Sequence, residues 1–249
     1  MGRLLPVSTF PLSAFATHDE FILSRPDRRT RAGRNRFAPP RQRRDVTDAD
    51  ASTPHDHLRT TDLAPLVETY GDLHLDPSDD LFHRLVVSVV NQLISTEAAK
   101  TIRGRLFDRF EVTPQNILAA DPDALREVGL SGQKVEYVKN VARWFDEQDV
   151  TRERFADMTD SEVVADLTEI KGIGDWTAEM FLMFGLGRED VFPVGDLAVR
   201  RGMEQLFGEM TRGEMRTRAE PWAPYRSYAS LYIWQHYTDG DADIDGIEF

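Results

Sequence analysis

The sequence predicts an all-α protein. Apolar residues recur at helical spacing in one segment after another, and Ser, Thr, Asp or Pro stands where many of those segments begin. No stretch alternates apolar and polar residues convincingly, as a strand with one wet face would.

The elements follow in chain order. Residues 1–60 read as a tail: Arg, Pro, Ser, Thr and Asp dominate, and Arg25 to Arg44 holds nine arginines against one acid. Such a segment cannot bury enough apolar surface to fold alone. Pro77 and Ser78 then open a helical run in which Leu81, Phe82, Leu85, Val86, Val89, Val90, Leu93 and Ile94 share one apolar face. Thr96 and Glu97 restart a helix through Phe110, Asp121-Pro122 opens another, and Gly129 closes it. Ser131 is placed to cap Gln133 to Phe145. Ser161 to Ile170 and Trp176 to Leu186 form the two arms of a helical hairpin, with Leu167, Ile170, Ile173 and Ala178 between them. Leu197 to Phe207 and the aromatic-rich run Arg226 to Tyr237 complete a folded unit over 61–239. The acidic residues 240–249 are expected to fray.

A chain of 249 residues is long enough for one large or two small domains with a sizeable core. The absence of cysteine excludes disulfides, thiolate zinc sites and cysteine-ligated clusters. The six histidines show no ligand spacing, so no zinc and no cofactor is expected. No apolar run approaches the roughly 20 residues of a membrane span. Pro6 and Pro11 break up the N-terminus, so no signal peptide is expected and the chain reads as intracellular. The net charge of −13 is uneven: residues 1–60 carry 11 arginines against 7 acids, and only four lysines occur (Lys100, Lys134, Lys139, Lys171). An acid-rich, lysine-poor surface resembles that of proteins from salt-loving organisms. It argues against binding driven by bulk charge, while leaving room for a local patch of amides and arginines on a polyanion.

The stretch from Glu169 to Ala178 suggests such a patch. Gly172 and Gly174 enter an apolar helix, whose N-terminal amides and dipole suit a phosphate. Glycine lets the backbone come close, and Lys171 adds a cation beside it. Taken alone, many helix–turn–helix connections use glycine for geometry only. Asp196 follows twenty residues after Trp176, just before a helical run. By position it is an ordinary helix cap worth about 1 kcal/mol. With the hairpin it suggests a backbone clamp with a carboxylate beside it.

Here a resemblance enters. Ile170-Lys-Gly-Ile-Gly-Asp-Trp-Thr-Ala178, then Val191-Phe-Pro-Val-Gly-Asp196, resembles the helix–hairpin–helix DNA glycosylases with their Gly/Pro-rich loop and catalytic aspartate. Asn91-Gln-Leu-Ile-Ser95, Gly129-Leu-Ser-Gly-Gln-Lys134 and Trp222-Ala-Pro-Tyr-Arg-Ser-Tyr228 agree in the same order, so the resemblance spans about residues 62–238. It is nearest to 3-methyladenine DNA glycosylase II. It implies two helical subdomains, one mainly of residues 95–195, with an interdomain active-site cleft. The implied partner is damaged double-stranded DNA, bound by a monomer.

The resemblance also implies roles, each beside a plainer reading. Asp196 is the catalytic carboxylate, and the cap and the chemistry are compatible. Trp176 and Trp234 either line a base pocket, where indole faces attract a cationic alkylated base, or are core aromatics. Leu93 either packs in the core or fills the gap left by a flipped base, with Gln92 and Asn91 near the orphaned partner. Lys171, Gly172, Gly174 and Thr177 belong to the DNA-binding hairpin. Its carbonyls over 171–176 are candidates for a monovalent cation, Arg200 and Arg201 for a phosphate contact, and the Arg-rich segment for a basic arm on DNA. Glycosylases that also cut the strand carry a lysine where this chain has Trp176, so no Schiff base forms there and a monofunctional enzyme is implied. The cluster of the endonuclease III branch and the N-terminal β domain of the bacterial alkylation enzyme have no counterpart in this sequence. The alternatives are a glycosylase for oxidised or mismatched bases, and a non-catalytic helix–hairpin–helix DNA-binding protein.

Overall fold

The structure, a computed structural model, describes residues 53–148 and 150–238. Most of the expected Arg-rich tail and the acidic 240–249 segment therefore lie outside the described residues. Among the described residues there are twelve α-helices and no strand: α1 Pro54–Leu58, α2 Ala64–Tyr70, α3 Leu81–Asn91, α4 Thr96–Arg109, α5 Pro114–Ala119, α6 Pro122–Glu127, α7 Gly132–Gln148, α8 Asp160–Thr168, α9 Asp175–Phe184, α10 Leu197–Phe207, α11 Arg212–Arg218 and α12 Arg226–Thr238. The all-α expectation holds.

Local chemistry explains most helix starts. Ser95, Thr113, Asp121 and Thr159 each accept a hydrogen bond from an amide of the following first turn. Pro114 and Pro122 sit in the first turn, where a missing N–H costs nothing. Thr211 and Glu214 form a reciprocal capping box that starts α11, a helix too short to show an apolar repeat.

Two expectations need correction. The folded unit starts earlier than residue 61. Thr53 and Asp56 form a capping box, and α1 buries Leu58 fully, with His55 Nε2 donating to the Leu73 carbonyl at 2.8 Å. The apolar run into Ile94 is not one helix either. Asp80 caps α3, which ends at Asn91, and Leu93 adopts φ +56 with its side chain wholly exposed. The pull comes from across the fold: the Gln92 amide donates to the Gly172 carbonyl at 3.0 Å and to Thr177 Oγ1 at 2.9 Å. Chain direction turns there, and Ser95 restarts a helix.

The helices fall into two groups. In one, α7 receives α5 and α6, and α8 pairs with α9; in the other, α12 packs on α10, α1 and α2. Helix α3, buried on nearly every side, packs on α4, α7 and α9. Gly202 allows a close crossing of α10 and α12, because a Cβ there would lie 2.6 Å from Ile233 Cγ2 and 2.7 Å from the Ile233 carbonyl oxygen. That contact brings the start of α10 against the aromatic middle of α12.

Candidate active site

The carboxylate of Asp196 lies at this junction. It caps α10, with Oδ1 accepting the Val199 amide at 2.9 Å. Two indoles also donate to it: Trp234 Nε1 to Oδ1 and Trp176 Nε1 to Oδ2, each at 2.8 Å. Hydrogen bonds to a carboxylate are roughly twice as strong as neutral ones, so three donors fix its orientation. The backbone before it is tied down as well, since Asp196 N donates to the Pro193 carbonyl at 2.8 Å and Arg200 Nη1 to the Gly195 carbonyl at 2.5 Å. An isolated helix cap needs one donor. This one has three, from α9, α10 and α12.

A cavity of about 650 Å³ opens beside Asp196 and is walled by residues 91–95, Trp176, Gly195, Leu197 and Arg200. Its wall joins the two helix groups, as an interdomain cleft should. Leu93 stands on its rim, and Trp176 separates it from a second cavity of about 630 Å³ that runs along the hairpin to Tyr137. Trp234 is only 4 % exposed, lies against Phe184 at 5.9 Å between ring centroids, and is absent from both cavity walls. Of the two tryptophans expected around a base, Trp176 faces the cleft. Trp234 backs the carboxylate.

The hairpin is more differentiated than its Gly-x-Gly pattern suggests. Gly172 has φ +108, and its missing Cβ would fall 2.2 Å from the Tyr137 ring, so glycine is demanded by backbone and packing. Gly174 meets nothing within 4 Å, has an ordinary φ of −112, and begins α9 without any side-chain cap. The first-turn amides of Asp175, Trp176 and Thr177 have no intrahelical acceptor, and no side chain caps them. Thr177 itself is 2 % exposed and engaged by Gln92, and Lys171 is paired with Glu136 at 2.6 Å. Gln92 and Thr177 therefore brace the hairpin from inside, and the Lys171 charge is already partnered. The carbonyls of Lys171, Gly172 and Gly174 accept from Asn140, Gln92 and Ala178 respectively, which fixes the course of the hairpin.

Glu179 was not anticipated. It sits on α9 one turn after Trp176, with Oε2 3.8 Å from where a Gly195 Cβ would be. Burial pushes its carboxyl up to about 7, with the charges of Asp175 and Asp196 adding and Arg216 opposing. Nothing in the local pattern marks it, because its neighbours come from α9, α11 and the turn before α10. Arg200, by its sequence position a surface residue and a candidate for a phosphate contact, lies one turn into α10 on the cleft wall.

The model of the HhH-GPD superfamily base excision DNA repair proteins matches residues 86–226. DNA-3-methyladenine glycosylase 1 of Schizosaccharomyces pombe is 31 % identical over 185 residues, covering 70 % of this chain and 79 % of that protein. DNA-3-methyladenine glycosylase 2 of Escherichia coli is 32 % identical over 180 residues, covering 68 % and 61 %. The solved structure of the S. pombe 3-methyladenine DNA glycosylase in complex with abasic DNA superposes with a TM-score of 0.67 at 29 % identity, covering 73 % of this chain and 95 % of that one. The matched stretch runs from within α3 through the Gly-x-Gly hairpin and Asp196 to the first residue of α12, more than half of the sequence, and the chain therefore belongs to the HhH-GPD superfamily of base excision DNA repair proteins.

Proposed function

We propose that this protein is a monofunctional DNA glycosylase that flips alkylated purines of the 3-methyladenine type out of duplex DNA and hydrolyses their N-glycosidic bond, leaving an abasic site for base excision repair. The observation that carries the reading is the Asp196 carboxylate, oriented by two indole N–H groups at the wall of an open cleft. As the base departs, positive charge develops at C1′ of the sugar. A preoriented carboxylate stabilises that charge without reorganising, and orients or deprotonates the attacking water.

The other roles follow from placement. The uncapped amides of the first turn of α9 take a DNA phosphate, with Gly174 admitting it closely. Leu93, fully exposed at the cleft rim on a left-handed backbone, fills the space the flipped base vacates. A leucine at positive φ is costly, and such strain persists where function requires the side chain there. Trp176 offers its ring to the base, and a cationic alkylated purine gains more from an indole than a neutral one. Flipping costs a few kcal/mol, least at damaged pairs.

No lysine lines the Asp196 cavity. Lys134 donates to the Val90 carbonyl, Lys139 to those of Leu118 and Ala120, and Lys171 to Glu136. This supports hydrolysis without strand cutting. The cleft wall is complete within one chain, which fits action as a monomer, inside the cell where its duplex substrate lies. Base release from N-methylated duplex DNA by the wild type and by Asp196→Asn tests the reading. Release by the wild type and its loss in the variant are expected; no release by the wild type would leave a DNA-binding protein.

A further inference from the structure

The chemistry above gives Glu179 no task, yet its placement is specific. On α9 it follows Asp175 by four residues and Trp176 by three, so the three side chains are neighbours on one helix surface. Trp176 Nε1 donates to Asp196 Oδ2, and Glu179 Oε2 comes to 3.8 Å from where a Cβ of Gly195 would stand. Two side chains of α9 thus address the same dipeptide, Gly195-Asp196. Gly195 belongs to the wall of the Asp196 cavity and Glu179 does not. Glu179 therefore approaches the site through Gly195 and does not touch what the cavity holds.

The carboxyl is half-buried, and among the described residues no hydrogen bond or ion pair holds it. The charges acting on it are Asp175 on its own helix, Asp196 before α10 and Arg216 on α11, two acids against one exposed base. A carboxylate in such a place costs stability, and packing alone would be served better by an amide. Burial first, and then Asp175, keep the group protonated up to about 7, so its charge appears close to neutral pH. Once present, that charge is weakly screened by water, and it acts on Asp196. A local cost of this kind persists where function uses the group.

We propose, resting on the glycosylase reading above, that Glu179 is a positioning residue of the reaction centre: its carboxylate, set behind Gly195, adds to the negative potential that Asp196 presents to the sugar and so favours loss of the base. In a cationic N-alkylated purine nucleotide the C1′–N bond breaks with its electron pair going to the base. The purine leaves neutral, and the positive charge moves to the sugar. Only an interaction stronger with the sugar cation than with the purine cation lowers the barrier. Glu179 meets this condition by its place beside the segment that bears Asp196, the carboxylate assigned to C1′. The same charge then raises the rate and lowers stability, an opposition that a purely structural side chain does not show.

Two measurements test the role. The first follows single-turnover release from N-methylated duplex between about pH 6 and about pH 8, either side of the folded pKa. Wild type should accelerate several-fold, with its midpoint near 7. Glu179→Gln keeps the shape of the protonated acid and should show no such rise. At the upper pH it should release base several-fold more slowly than wild type, although it melts higher. The second measurement needs no turnover: affinity for a duplex with a cationic pyrrolidine in place of the lesion's sugar is compared with affinity for the neutral tetrahydrofuran analogue. The wild-type preference for pyrrolidine should grow several-fold over the same pH range, and that of Glu179→Gln should not. A wild type that shows this preference but releases no base would overturn the glycosylase reading while supporting the role of Glu179. Parallel pH profiles of the two proteins in either measurement would overturn the role, as would a variant slowed equally at both ends of the range.

Discussion

Asp196→Asn gives a sharper test than the usual loss of a carboxylate, because the structure says which hydrogen bond must break. Oδ1 accepts two donors, Val199 N and Trp234 Nε1, while Oδ2 accepts Trp176 Nε1. Asparagine has one acceptor oxygen and one NH₂ group. Its least costly orientation keeps the oxygen at the Val199 and Trp234 side and turns the NH₂ toward the Trp176 N–H, donor against donor. One bond to a charged group is lost, worth about 1.5–3 kcal/mol. For a protein of this size that corresponds to a fall of about 3–12 °C in Tm. A simple helix cap predicts almost no change, since Asn and Asp cap equally well. Loss of the charge at C1′ should lower excision by roughly 10²-fold or more. The assays are scanning calorimetry and single-turnover base release from methylated duplex. Trp176→Phe, which keeps a ring but has no N–H, completes a double-mutant cycle. It should cost less in the Asp196→Asn background than in the wild type, with a coupling of about 1–2 kcal/mol. Excision within a few-fold of wild type would refute the role of Asp196 in chemistry, and an unchanged Tm would refute the donor argument.

Further expectations concern neighbouring parts. Gly172→Ala should destabilise the protein by at least about 1–3 kcal/mol from its backbone alone, before the clash with Tyr137, as read by denaturant melting. Gly174→Val should instead leave the melt nearly unchanged and weaken DNA binding alike for every lesion and sequence in a titration; a change limited to lesion choice would move the hairpin into the base pocket. Glu179 is held protonated up to about 7 when folded but ionises near 4.5 when unfolded. The stability it contributes is therefore full below pH 4.5 and is lost as pH rises to about 7. Glu179→Gln should remove that decline and melt higher than wild type at about pH 8, above the folded pKa; parallel melting curves across the range would contradict it. Incubation with methylated duplex and borohydride should trap no covalent complex on denaturing gels, and the abasic product should break only after alkali or heat.

Much of the fold was legible because caps and prolines are local devices. Asp121, Ser131 and Asp196 mark helix starts in the sequence and do so in the structure. The spaced Gly172, Gly174 and Asp196 likewise pointed to one region, and Trp176 and Trp234 converge on it. What escaped depends on partners far along the chain. An apolar Leu93 at helical spacing looks like core, and only the bonds from Gln92 to residues 80 and 85 positions away turn it out to solvent. The burial of Trp234 depends on Phe184, and the environment of Glu179 on Arg216. The start of the folded unit is not legible in the sequence because α1 is five residues long, and one buried leucine makes no period.

The crossing of α10 over α12 at Gly202 carries a consequence for genetics. Six residues after the carboxylate, a single added methyl would have to displace Ile233 and its carbonyl, which lie one position before Trp234. The displacement would be passed to both ends of the Trp234–Asp196 bond. A screen for repair-deficient alleles would then recover Gly202 substitutions among the most damaging. Position 202 would be scored as part of the reaction centre, although as a buried glycine facing Ile233 it offers nothing to DNA or base.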